Sequence, residues 1–268
     1  VPDVFECSLA ALDVLGAALG LAVRRFPFSF PHHGQTVAER ARLVQAVHQD
    51  LAGRGLIHGA EFAPEVPRAL RVFAQGPVAV AMLGTTGQLR HCALASATER
   101  TGVLAVQRGQ SVRFELLDPH ALVRALVGLL PPLHPGPGGP VTVTAEAGAA
   151  GRGAGADEDF SEFSFTSSRR SPWGASAVQR AEAERLLRRP RLGGGYFVVT
   201  AGRDQPGGSA RAAAGAAQPI TLTWLDTDLG RYAVVPETGR DGQPRVTYSP
   251  ADVGRLAQRL TDAVAAVR

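Results

Sequence analysis

Apolar residues recur near helical spacing at the start of the chain. Val4, Leu9, Leu12, Leu15 and Leu19 predict an amphipathic helix from the first residues onward. In Phe26-Pro27-Phe28-Ser29-Phe30-Pro31 aromatics alternate with proline or serine; the prolines exclude helix, and an extended edge segment is expected. Thr36 with Glu39 three residues on makes a capping box, and Val37, Leu43, Val44, Val47 and Leu51 form a stripe that ends at Gly53 and Gly55. A shorter helix runs from Pro64 through Val66, Leu70 and Val72 to the breaker pair Gly76-Pro77.

From residue 78 the pattern changes to short strands. Residues 78–83, 89–96, 102–107 and 111–117 are short runs joined by short turns, which predicts an antiparallel meander. Asp118-Pro119 opens a helix carrying Leu122, Leu126, Leu129 and Leu130. After residue 174 the chain reads as a helix over 175–189 with Val178, Leu186 and Leu187 apolar, a strand at 196–200, a mobile loop over 202–217, a hairpin over 221–235 and a strand at 245–248. A last helix, capped by Ser249-Pro250, carries Val253, Leu256, Leu260, Val264 and Val267 on one face. Asp226 and Asp228 in the hairpin read as turn formers; a carboxylate pair for metal or acid–base work needs a third polar partner, and none lies nearby.

Residues 132–173 break both patterns. They are rich in proline, glycine and alanine, with a brief strand at 141–144 and acidic residues at 157–159, and are expected to form a mostly disordered linker. On either side the plan repeats: strand, turn, strand, Asp-Pro and a helix with Arg124, then strand, turn, strand, Ser-Pro and a helix with Arg255. Two related α+β halves, 1–131 and 174–268, follow from that order.

Composition narrows the function. With 268 residues, 45% hydrophobic and 19% charged, the chain can bury a core. Its net charge is +4, and all basic residues are dispersed arginines, which argues against a nucleic-acid footprint. Cys7 and Cys92 read as small buried hydrophobes in a reducing compartment. The apolar run of residues 9–23 is interrupted by Asp13 and lacks a basic flank, so no membrane insertion and a cytoplasmic location are expected. The seven histidines show no metal-ligand spacing, Gly193 to Gly195 lead into a strand, and no nucleophile elbow is present. No metal, cofactor or catalytic role is expected.

Four stretches carry a resemblance to a known family: residues 31–43 (PHHGQTVAERARL), 51–57 (LAGRGLI), 191–197 (RLGGGYF) and 222–232 (LTWLDTDLGRY). In this order they resemble the EspG family of chaperones associated with ESX, or type VII, secretion. The resemblance implies a non-enzymatic cytosolic chaperone that binds a PE–PPE heterodimer and covers the hydrophobic tip of the PPE protein. It also implies an antiparallel β-sheet core with N- and C-terminal helical bundles in two quasi-twofold-related halves. No contact residues carry across from the motifs.

An apolar client tip needs an apolar surface with a polar rim. The expected partner-binding residues are Met82, Leu83, Thr85, Gln88 and Leu89 on the first hairpin, Thr98 and Arg100 on the next turn, and Val253, Leu256 and Leu260 on the last helix. The alternative is a small-molecule-binding regulatory or degenerate enzyme domain with its ligand between the halves.

Overall fold

The computed structural model describes residues 4–59, 61–144, 177–201 and 218–267. The expected linker beyond residue 144, the first residues of the helix expected at 175, and the 202–217 loop lie outside the described residues. In chain order the elements are β1 (Val4–Ser8), α1 (Leu9–Leu19), α2 (Val37–Gly53), β2 (Ile57–His58), β3 (Glu61–Phe62), α3 (Glu65–Gln75), β4 (Val78–Thr86), β5 (Leu89–Ala97) and β6 (Gly102–Arg108). Then follow β7 (Ser111–Leu117), α4 (Leu122–Val127), β8 (Val141–Thr144), α5 (Ala177–Leu187), β9 (Arg191–Ala201), β10 (Ile220–Thr227), β11 (Gly230–Thr238), β12 (Pro244–Pro250) and α6 (Val253–Val267). The fold is α+β with antiparallel strands; α3, β4 to β7 and α4 follow one another along the chain, as α5, β9 to β12 and α6 do later.

Two compact units interleave along the sequence. The first takes Val1–Pro131, Gly195–Ile220 and Val253–Arg268; the second takes Pro132–Gly194 and Thr221–Asp252.

In the first unit β1, β7, β6, β5 and β4 pair in that order. The meander forms as the short runs and turns dictate. Its β4–β5 turn has Gly87 at φ 56°, a left-handed conformation that glycine adopts without steric penalty. Helix α3 lies against β5, β6 and β7, and α4 lies against β5, β6 and α6. Phe114 stacks on Phe5 at 5.0 Å and meets Phe73 edge-on at 5.4 Å, and Phe28 meets Phe73 at 5.4 Å.

Several expected elements move. Val4 belongs to β1, not to the first helix: Phe5 and Cys7 are buried while Glu6 and Ser8 are exposed, a period of two, and Ser8 caps α1 through a 3.0 Å bond from the Ala11 amide. The 26–31 segment forms no strand, although Phe28 and Phe30 are buried. Helix α2 has its capping box but buries only Val47 and Leu51 fully, leaving Val37 89% and Val44 42% exposed. Helix α4 begins at Leu122; the Asp118 carboxylate instead accepts from the His120 amide in the preceding turn. Helix α6 likewise begins at Val253, with Ser249 and Pro250 completing β12.

In the second unit β10, β11, β12 and β8 pair antiparallel in that order, and α5 packs on β8. The strand expected at 196–200 starts earlier, so Gly193 to Gly195 are strand residues. Among the described residues no helix is long and apolar enough to cross a membrane.

Candidate partner-binding surface

The β4–β5 hairpin presents a mixed tip. Met82 is fully buried and Leu83 half-buried against the core, whereas Thr85, Gln88 and Leu89 are exposed, Leu89 by 58%. Behind the tip the buried His91 Nε2 lies 3.0 Å from Thr86 Oγ1, pinning the last pair of rungs. The next turn is rigid in another way: Thr98 donates its amide to the Thr101 carbonyl at 2.9 Å, and the Thr98 hydroxyl closes the same four residues on both sides. Thr98 is half-buried and Arg100 exposed.

These two turns do not converge. They cap opposite ends of β5, about 26 Å apart at the rise of an extended strand. On α6, Leu256 and Leu260 are fully buried and Val253 is half-buried, with α4 packed beside the helix. Of the ten expected residues, Thr85, Gln88, Leu89 and Arg100 are the exposed ones, and Met82, Leu256 and Leu260 belong to the core.

The hairpin of residues 222–232 is built differently from its turn-former reading. Asp226 and Arg231 face each other across β10 and β11 and form a buried two-pronged ion pair, 2.6 Å from Nε to Oδ1 and 2.9 Å from Nη2 to Oδ2. The turn itself is held by Thr227, whose hydroxyl accepts from the Leu229 amide and donates to the Gly230 carbonyl. Asp228 instead takes both prongs of Arg189, at 3.0 and 2.7 Å. Gly230, at φ 123°, admits residues 134–136: a Cβ there would stand 2.7 Å from the His134 carbonyl oxygen. Tyr232 fills the place a side chain at Gly136 would need and donates to the Pro137 carbonyl at 3.1 Å.

Two polar clusters in the first unit were not foreseen. Asp13, 3% exposed on α1, receives the Arg24 guanidinium, Arg40 Nη1 at 2.6 Å and the His33 amide at 3.2 Å. Burial pushes its carboxyl up, but the His33 amide, Arg40 and Arg24 outweigh that and hold it below the usual aspartate value. Arg25 is buried beneath the end of α3 and donates to the carbonyls of Phe73 at 2.6 Å and Gly76 at 3.2 Å and to Ser96 Oγ at 3.1 Å. The signal for Asp13 was there: a charge set among leucines on an apolar helix face requires a buried partner. Arg24 and Arg25 serve different networks, which adjacency in sequence does not reveal.

Nothing in these clusters is arranged for chemistry. Each carboxylate in them is engaged by arginine, and among the described residues no three His, Cys, Asp or Glu side chains gather in a metal-binding group. Cys7 and Cys92 are buried, and desolvation pushes their thiols up to about 12 and about 11, so neither is a nucleophile near neutral pH.

A sequence profile of the EspG family matches residues 8–262. The chain belongs to the EspG family. No curated protein matches it. Among solved structures it is similar in fold to the Mycobacterium tuberculosis type VII secretion system chaperone EspG5, solved in complex with the PE25–PPE41 dimer. The TM-score is 0.58 at 12% sequence identity, over 95% of this chain and 93% of that chain. The four stretches that carry the EspG resemblance fall on the loop and cap of α2, the α2–β2 junction, β9 and the β10–β11 hairpin.

Proposed function

We propose that this EspG-family chain is a type VII secretion chaperone that binds a PE–PPE-type heterodimer in the cytoplasm and keeps its hydrophobic PPE tip soluble for export, without catalysis. The observation that carries this reading is the family match over residues 8–262; the fold similarity to EspG5, solved holding the PE25–PPE41 dimer, supports it. The division into halves 1–131 and 174–268 around a 132–173 insertion is part of the proposal.

Burial of an apolar tip supplies affinity while rim charges select the partner. Leu89, with Thr85 and Gln88 beside it, is the proposed apolar contact and rim, and Arg100 and Val253 are further contact positions. Met82, Leu83, Thr98, Leu256 and Leu260 set the backbone beneath them.

The test is co-expression with each PE/PPE-like pair encoded beside this chain, followed by size-exclusion chromatography. A stoichiometric three-chain complex is expected. Folded, soluble chain eluting alone from every pair overturns the chaperone reading. Leu89→Asp, an exposed change, is expected to abolish co-elution, and undiminished capture overturns the hairpin placement alone.

A further inference from the structure

An apolar contact at Leu89 selects its client only with a charged group beside it, and the strand register supplies one that sequence order hides. Thr86 pairs with Leu89 and Gly84 with His91, so these four residues share one face of the sheet. The 3.0 Å contact between His91 Nε2 and Thr86 Oγ1 lies on that face. Across β5 the register pairs Ala93 with Val106; two residues further on, Arg108 stands beside His91. Cys92 Sγ, 3.4 Å from Gln107 Oε1, places those two side chains together on the opposite face, where Cys92 joins the core, and leaves Arg108 on the face of Leu89.

Arg108 is therefore the diagonal neighbour of Leu89 across two strands, about 7–8 Å away. Both residues are exposed. Arg90, adjacent to Leu89 in sequence, belongs to the opposite face with Thr85, and Arg100 lies at the far end of β5. On the same face β1 and β7 carry Glu6 and Glu115, and both are engaged: Glu6 accepts from the Ser111 hydroxyl, and Glu115 lies 3.5 Å from Arg113. Arg108 has no ion pair among the described residues.

We infer that Arg108 is the specificity-determining charge of the Leu89 contact: it receives a carboxylate on the rim of the client's apolar tip while Leu89 covers the apolar part. A guanidinium fork binds a carboxylate two-pronged, as Arg189 does with Asp228. A rim charge of this kind acts on partner choice and on salt dependence more than on the fold. The inference rests on the client reading and extends its contact from the β4–β5 tip to the β6–β7 turn.

The probe is the fluorescein-labelled parent chain bound to the co-eluting PE/PPE-like pair, displaced by unlabelled variants and followed by anisotropy. Arg108→Glu is expected to compete about tenfold or more weakly than the parent. Arg108→Gln should lose severalfold and flatten the salt dependence of binding, which a merely structural role would leave unchanged. Arg108→Gln combined with Leu89→Ala should lose less than the product of the two single losses, whereas Arg100→Gln combined with Leu89→Ala should multiply. Circular dichroism and melting of each variant should match the parent, and Arg108→Gln serves if charge reversal perturbs the fold. A parent that captures no pair overturns the chaperone reading and this inference with it. Capture by the parent with Arg108→Glu competing equally, or with Arg108→Gln keeping the parent's salt dependence, overturns this inference alone.

Discussion

The buried pair in the β10–β11 hairpin sets the clearest quantitative expectation. Arg231 is 0% and Asp226 1% exposed, and their two bonds of 2.6 and 2.9 Å are close to ideal for charged partners. Asp226→Ala removes the carboxylate that balances a buried guanidinium, and removing one partner of such a pair costs about 3–5 kcal/mol. At slopes of about 1–3 kcal/mol per molar urea, the unfolding midpoint should fall by more than about 1 M. Trp224, buried two residues away on the same strand, is the reporter; Trp173→Phe leaves it as the single tryptophan. Asp226→Leu/Arg231→Met removes both charges together and should recover most of the loss, because an apolar pair of similar volume needs no desolvation. An Asp226→Ala protein that unfolds at the parent's midpoint, or a double variant as unstable as the single, refutes the argument that the charge balance holds this hairpin.

Other expectations rest on single contacts. Thr36→Ala removes half of the capping box on α2 and should cost about 1 kcal/mol, read as faster amide exchange over the first turn of that helix. Gly76→Ala forces a methyl against Ser96 Oγ and to 2.7 Å from the Val72 carbonyl oxygen, so a clear drop in melting temperature is expected; an unchanged melt would show that the turn relaxes freely. Both thiols are held neutral by burial, so a disulfide reagent at pH 8 should label the protein only after denaturant is added. Because those thiols ionise in the unfolded chain near pH 8.5 but in the folded one only near 11 to 12, their contribution is complete below pH 8 and is lost as pH rises towards 12. Asp13 works with the opposite sign: its lowered carboxyl stabilises above the ordinary aspartate range and stops doing so as acid protonates it, and Asp13→Asn should flatten that acid limb.

The meander was legible because alternation and glycine turns act locally, and β4 to β7 start within a residue of where the pattern puts them. Where the pattern failed, the third dimension decided. Val44 and Val47 are three residues apart, about 60° around α2, yet only Val47 meets the core. A stripe drawn on a helix records which residues could be covered, and the cover comes from elsewhere in the chain. Val4 failed for a simpler reason: five residues separate it from Leu9, a gap that fits no helical repeat, and Phe5 and Cys7 already alternate as a strand does. For the binding surface, sequence order was misleading: the 85–89 tip and the 98–101 turn are near neighbours in sequence but lie at opposite ends of one extended strand.

The hairpin motif shows what family resemblance can and cannot specify. With a two-residue turn at Asp228 and Leu229, positions five apart must face each other, so Asp226 opposite Arg231 was readable from spacing alone once the turn was located. Three further polar members of the motif have structural partners: Thr227 closes the turn, Asp228 takes Arg189, and Tyr232 holds the Pro137 carbonyl. Side chains committed to such contacts are not available to a client. The polar residues of this hairpin therefore hold the frame, and the proposed partner contacts Leu89 and Arg100 are exposed positions outside it.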